Sequence, residues 1–135
     1  MSIQLSWYLE NRVLLLTSQG ESSDQDLLDI DQPIIEHLNQ SNAPLVHLIA
    51  DHRKGGKMPS MKAAAQIQWP KHPQYGWGIM VGLTNPVQRF LVAVASNFFK
   101  VRQRNFDTMD EALDFLNEVD TTLPALRDNR LDKAS

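Results

Sequence analysis

Asp51-His52-Arg53-Lys54-Gly55-Gly56-Lys57 gathers three fixed positive charges and two glycines into one short stretch. Lysine and arginine neutralise an anion, and glycines let backbone N–H groups approach it closely. Ser60 adds a hydroxyl at a helix start, whose partial positive charge strengthens the same field. Asp51, His52, Arg53, Lys54, Lys57 and Ser60 therefore form the candidate binding surface for a small anion or an acidic protein partner. It is not a P-loop, because Met58 follows Gly56-Lys57 where serine or threonine is needed, and the upstream glycine is missing. The plain alternative is a solvated loop in which Asp51 makes a turn and Ser60 caps a helix.

Other chemistry is thinly represented. His37, His47, His52 and His72 fall into no recognised ligand spacing, so no metal site is expected. His47 lies inside an apolar run and reads as a structural histidine. No G-x-S-x-G elbow is present, which leaves a Ser-His-Asp triad without support. No cofactor motif stands out, and none is expected. Trp69-Pro70-Lys71-His72-Pro73-Gln74-Tyr75-Gly76-Trp77 is rich in aromatics and proline. It suits either a lid on an apolar pocket or a protein contact, with Trp69 and Tyr75 at the interface. Val92 and Phe99 lie off the main apolar stripe of a helix over 86–99, which suggests a homodimer seam there.

Composition narrows the class. The chain has 135 residues, 13 basic and 16 acidic, for a formal charge of -3. That balance lacks the basic stripe of a dedicated nucleic-acid binder. With no cysteine, disulfides, thiolate metal sites and cysteine nucleophiles are all excluded. A disulfide-free chain suits a reducing compartment, so a cytoplasmic location is expected. The N-terminus lacks the pattern of a signal peptide, and no apolar run approaches the ~20 residues that span a bilayer, so no integral membrane contact is expected.

The elements that must position these residues follow from periodicity. Ile3, Leu5, Trp7 and Leu9 alternate with polar neighbours and predict a strand, paired as a hairpin with the apolar run Val13–Leu16. Ser22 or Ser23 caps a helix whose apolar residues run from Leu27 to Leu38. Pro33 either kinks it or begins a second segment capped by Asp31. Leu45–Ala50 predicts a strand, 51–59 a loop, and Ser60 a helix through Gln68. A strand over Trp77–Val81 follows, then a helix opened by Asn85-Pro86 and running to Phe99. Val101–Phe106, with charges interleaved, predicts an edge strand. Thr108 and Glu111 box the start of a last helix carrying Met109, Ala112, Leu113, Leu116 and Val119. The order is β-β-α-β-α-β-α-β-α, an α/β domain with a five-stranded mixed sheet, spanning 1–126, with 127–135 a frayed polar tail.

This order, together with Leu45-Val46-His47-Leu48-Ile49-Ala50-Asp51, Gly78-Ile79-Met80-Val81-Gly82 and Arg102-Gln103-Arg104-Asn105-Phe106 leading into Asp110-Glu111-Ala112-Leu113-Asp114-Phe115-Leu116, resembles the SpoIIAA-like fold. That fold is shared by STAS domains, and this chain is most similar to short bacterial STAS-like proteins over about residues 3–119. In the antagonist family a phosphorylatable serine follows the central strand in a Met-Asp-Ser-Ser-Gly context. Ser60 stands at that place, with Pro59 instead of the aspartate and Met61-Lys62 instead of Ser-Gly. The resemblance implies a non-enzymatic regulatory module with a protein partner, acting through 51–60 as a homodimer. A more distant similarity to CRAL-TRIO domains implies a second reading, a carrier of a small apolar, lipid-like ligand held under the aromatic loop. An enzyme using Asp51 and His52 is the third.

Overall fold

The computed structural model describes residues 3–57, 59–83, 85–86, 88–89, 92 and 102–127. Two antiparallel strands, β1 (Ile3–Leu9) and β2 (Val13–Gly20), open the chain. Asn11 takes a φ of 66° in the turn between them, a left-handed conformation that asparagine tolerates better than most residues. Helix α1 (Asp24–Gln40) crosses to β3 (Val46–Gly55). A one-turn helix α2 (Met61–Ala64) and a 3-10 turn (Trp69–Lys71) lead to β4 (Tyr75–Val81). Strand β5 (Gln103–Phe106) and helix α3 (Met109–Val119) complete the described elements. The sheet order is β1-β2-β3-β4-β5, and every pair after the hairpin is parallel. The fold is thus the five-stranded mixed α/β sheet that the sequence pattern implies, with β5 at an edge.

Alternation along the strands divides the apolar residues between two cores. Leu14, Leu16, Val46 and Leu48 meet Ile30, Ile34 and Leu38 of α1. Val13, Ile49, Ile79 and Val81 meet Met109, Ala112, Leu113 and Leu116 of α3. The inner strands are covered on both faces, which explains the unbroken apolar run Val13–Leu16. Leu123 and Leu126 dock onto the α3 side, and Tyr8 reaches the same core to donate its hydroxyl to the Leu126 carbonyl at 2.8 Å. Each fully buried leucine here is worth about 2–3 kcal/mol in area removed from water.

Local signals placed the helix starts well. Ser23 and Asp26 form the capping box of α1, and Thr108 accepts from the Glu111 N–H at the start of α3. Pro33 sits inside α1, which runs through it as one helix. Several boundaries differ from the sequence reading. β2 continues to Gly20 and β3 to Gly55, so residues 51–55 are strand, not loop. The reason is cross-strand pairing, Thr17 with Asp51, Gln19 with Lys54 and Gly20 with Gly55, which holds a polar segment in the ladder. The helix after Ser60 ends at Ala64 instead of Gln68. β4 begins at Tyr75, and β5 at Gln103. The helix expected over 86–99 falls mostly outside the described residues, although Pro86, Gln88, Arg89 and Val92 carry helical backbone.

Candidate functional site

His47 is the most constrained polar side chain, and its ring is fully buried. The register shifts between Val46 and Leu48 against β4, and there the Trp77 N–H donates to His47 Nδ1 at 2.9 Å. Nδ1 is therefore the acceptor, and Nε2 carries the proton that it donates to Asp120 Oδ2 at 2.9 Å. Burial depresses the His47 pKa despite the pull of Asp120 in the other direction. Burial works to raise the Asp120 carboxyl, but hydrogen bonds from Thr122 and His47 outweigh it and bring the pKa down to about 2. Arg12 also reaches Asp120, at 3.3 Å. This cluster ties α3's end to β3 and β4. Both ring nitrogens of His47 are engaged, so it is a structural histidine, as its apolar setting suggests.

The polar stretch at 51–60 is largely engaged within the chain. Arg53 donates to Asp51 through Nε at 2.9 Å and Nη2 at 2.8 Å, a bidentate pair between residues i and i+2 on one strand face. Burial tends to raise the Asp51 pKa, but the Arg53 hydrogen bonds and charge lower it on balance. His52 is buried, donates Nε2–H to the Gly56 carbonyl at 3.0 Å, and packs its ring where a Cβ on Gly55 would lie. Lys54 and Lys57 are exposed at the rim. Ser60 caps α2 through the Ala63 N–H, and its own N–H and hydroxyl donate to Asp24 at 2.7 and 2.8 Å. Those bonds lower the Asp24 pKa. The Ser60 hydroxyl thus faces a carboxylate at the start of α1. Among the described residues, no three histidine, aspartate or glutamate side chains converge to hold a metal ion.

A concave feature lies beside this stretch. A cavity of ≈ 240 Å³ opens on the α1 side of the sheet. Leu16, Leu48 and Ala50 form part of its floor, with Gly78 and Met80 of β4 continuing it. Trp69 and Tyr75, expected at a partner interface, are instead buried in the α1-side core and line the cavity together with Ile67 and Pro70. A Cβ at Gly78 would strike the Tyr75 hydroxyl, so this glycine makes room for the phenol. Burial pushes the Tyr75 pKa up to about 12, against an opposing hydrogen bond from Trp69. Val92 lies on the cavity wall, while Phe99 is outside the described residues. Two carboxylates of α1 hold the surround in place: Asp24 clasps Ser60, and Asp31 accepts the Gln68 and Trp69 N–H groups at 3.0 Å. Asp31 thus anchors a distant turn instead of capping a second segment of its own helix. Ser22 is among the residues that border the cavity. It is buried, and its Oγ is closed off from solvent and has no hydrogen-bond partner among the described residues. Nothing in the sequence distinguishes Ser22 from a spare N-cap, so its place was not legible there.

Comparison with solved structures places this geometry in a known architecture. An uncharacterized protein of the DUF3478 family with a SpoIIAA-like fold, from Shewanella loihica PV-4, is matched with a TM-score of 0.61 at 17% identity, over 84% of this chain and 91% of that one. The chain has a SpoIIAA-like fold. The anti-sigma factor antagonist SpoIIAA in its unphosphorylated form is matched with a TM-score of 0.58 at 15% identity, over 85% and 97% of the two chains. The Bacillus cell fate determinant SpoIIAA in the phosphorylated form is matched at 0.53 and 14%, over 84% and 98%. At these identities the likeness is one of fold. No family model matches the sequence, and no curated protein matches it. Within this SpoIIAA-like chain no described helix is long and apolar enough to cross a membrane.

Proposed function

We propose that this chain is a non-enzymatic, STAS-like regulatory module that takes a small apolar ligand in the α1-side cavity and meets a protein partner at the adjoining rim. The observation that carries this reading is the cavity itself, ≈ 240 Å³ with walls from Leu16, Leu48, Ile67 and Trp69. Preformed apolar hollows with a few polar groups are the usual form of small-molecule sites. Support for the regulatory part is the fold shared with SpoIIAA, a protein named for antagonising an anti-sigma factor. Lys54 and Lys57 are exposed, as is Arg53, and the two lysines are offered as the partner-facing pair. Arg53 contributes less to anion recognition than its type suggests, because Asp51 already occupies its guanidinium.

Size sets the ligand class. A dry cavity of about 150 Å³ accepts benzene, so ≈ 240 Å³ suits roughly ten non-hydrogen atoms. That favours a compact aromatic or a short chain over the long acyl lipid of a carrier. With about 0.5 kcal/mol per ligand atom, a Kd on the order of 0.1 mM is expected for an unoptimised probe. Titration of 15N-labelled protein with 4-propyltoluene should shift the Trp69 indole N–H and the Ala50 and Gly78 amides in a saturable way. Ala50→Phe fills the space and should abolish the shifts while the fold persists. Failure of both 4-propyltoluene and 4-propylphenol to bind would remove the reading.

A further inference from the structure

We propose that the outer edge of β1 is a homodimer interface, where β1 of a second copy pairs antiparallel and joins the two five-stranded sheets into one. This stands independently of the ligand-binding reading above. The sheet order ends at β1, and among the described residues no strand lies beyond it. A strand edge turns every second residue outward with its N–H and C=O, and it templates pairing unless charge, proline or a bulge blunts it. The outward set follows from the ladder. His47 N–H donates to the Arg12 carbonyl, so Arg12, Leu14 and Leu16 direct their backbone groups to β3, and Leu15 and Thr17 direct theirs to β1. Ser6 lies opposite Leu15 and Gln4 opposite Thr17. Ser6 and Gln4 therefore bond to β2, while Ile3 and Leu5 present their backbone groups to the outside.

The composition of the edge points to a second copy as its occupant. The strand Ile3–Leu9 holds no charged residue and no proline. Its register shift falls after Trp7, so Ile3–Trp7 is regular. In a two-fold pairing about Leu5, that side chain faces the partner's Leu5, Ile3 faces the partner's Trp7, and Gln4 faces the partner's Ser6. One face sets apolar against apolar, and Leu5 is only partly buried in the single chain, so it has area left to cover. The other face sets the exposed Gln4 and Ser6 together. No like charges meet, which removes the usual bar to self-pairing. The opposite edge, β5, is built differently. It is four residues long and carries Arg104, with Arg102 just before it, so self-pairing there would bring arginines together. The homodimer expected from the sequence thus uses β1, while Val92, expected at its seam, lines the cavity.

Sedimentation velocity of the full chain from about 5 µM to about 500 µM tests this, because one strand edge makes a small, transient interface with a Kd on the order of 50 µM. The unmodified protein should run mainly as a monomer at the low end and mainly as a dimer at the high end. Amide exchange at Leu5 should slow several-fold over the same range, because its outward N–H becomes a ladder donor. The double variants Gln4→Lys/Ser6→Lys and Gln4→Glu/Ser6→Glu change only exposed side chains and place like charges across the two-fold axis. Each alone should stay monomeric at the highest concentration, and an equimolar mixture should regain the dimer. The mixture also shows that both variants are folded. A chain that stays monomeric throughout overturns the proposal and leaves the edge to a strand of another protein or to water. A dimer unaffected by either double variant, or a mixture that stays monomeric, overturns it as well.

Discussion

Replacing Asp120 tests whether the buried His47 network holds α3 to the sheet. His47 Nδ1 is committed to the Trp77 N–H, so Nε2–H must donate, and its acceptor is Asp120 Oδ2 at 2.9 Å. Asp120→Ala leaves that buried donor without a partner, a cost of about 1–3 kcal/mol. The lost contact with Arg12, whose side chain is 21% exposed, adds about 0–1 kcal/mol. A total near 2–3 kcal/mol lowers the melting temperature by about 6–12 °C for a domain of this size. The pH dependence has a defined sign. The His47 pKa is depressed below its ordinary 6.5, so its contribution is present above pH 6.5 and lost as pH falls through the folded value. The Asp120 pKa is depressed from 3.8 to about 2, so its contribution is present above pH 3.8 and lost towards pH 2. Solvent at the rim reduces that second contribution to about 1–2 kcal/mol. Urea denaturation at pH 7.5 and at pH 5 reads the His47 contribution, and a further series from pH 5 down to pH 2.5 reads that of Asp120. A loss below 0.5 kcal/mol (roughly the scatter of a neutral surface change) in Asp120→Ala at pH 7.5 would refute the assignment of His47 as a donor to this carboxylate.

Two further perturbations probe the neighbouring geometry. A Cβ at Gly76 would land on the His47 ring, so Gly76→Ala should destabilise by about 1–3 kcal/mol, read by the same urea titration, and should shift the Trp77 amide that His47 accepts. Ser60→Asp places a second carboxylate against Asp24, so the clasp between α1 and α2 should open; amide exchange at Ala63 and Ala64 should quicken about tenfold, while exchange in α3 stays unchanged.

The sheet and its two cores were legible because they rest on periodicity, which local sequence records directly. Val13–Leu16 has no alternation because residues of both parities are covered, one set by α1 and the other by α3. The caps at Ser23, Ser60 and Thr108 were legible for the same local reason. The polar strand end was not. Asp51-His52-Arg53-Lys54-Gly55 lacks apolar alternation, and it stays in the ladder because Gln19 and Gly20 lie beside it. Once the strand is extended, the Asp51–Arg53 pair follows from i, i+2 geometry alone. Ser22 and Asp31 read from sequence only as helix caps, and Asp24 was not singled out, because their partners are sequence-distant or missing: Asp24 meets Ser60, Asp31 meets Trp69, and Ser22 Oγ meets no described residue.

The cavity arises from the same long-range relations. Its floor combines Ala50 with Gly78, two small residues on neighbouring parallel strands, where larger side chains would fill the space from below. α2 stops after one turn, so Ala64 offers little volume from the side. Gly78 cannot simply enlarge, since the Tyr75 hydroxyl occupies the position of its Cβ. Tyr75 is held there by burial beside Trp69, and Trp69 in turn by its backbone bond to Asp31 of α1. The hollow is therefore framed by fixed groups on several sides. A void framed in this way costs dispersion contacts that a better-packed core would regain. That cost is what a bound ligand would offset. The Asp51–Arg53 pair beside it is already satisfied internally, which makes the uncharged hollow a place where this domain has free energy left to gain.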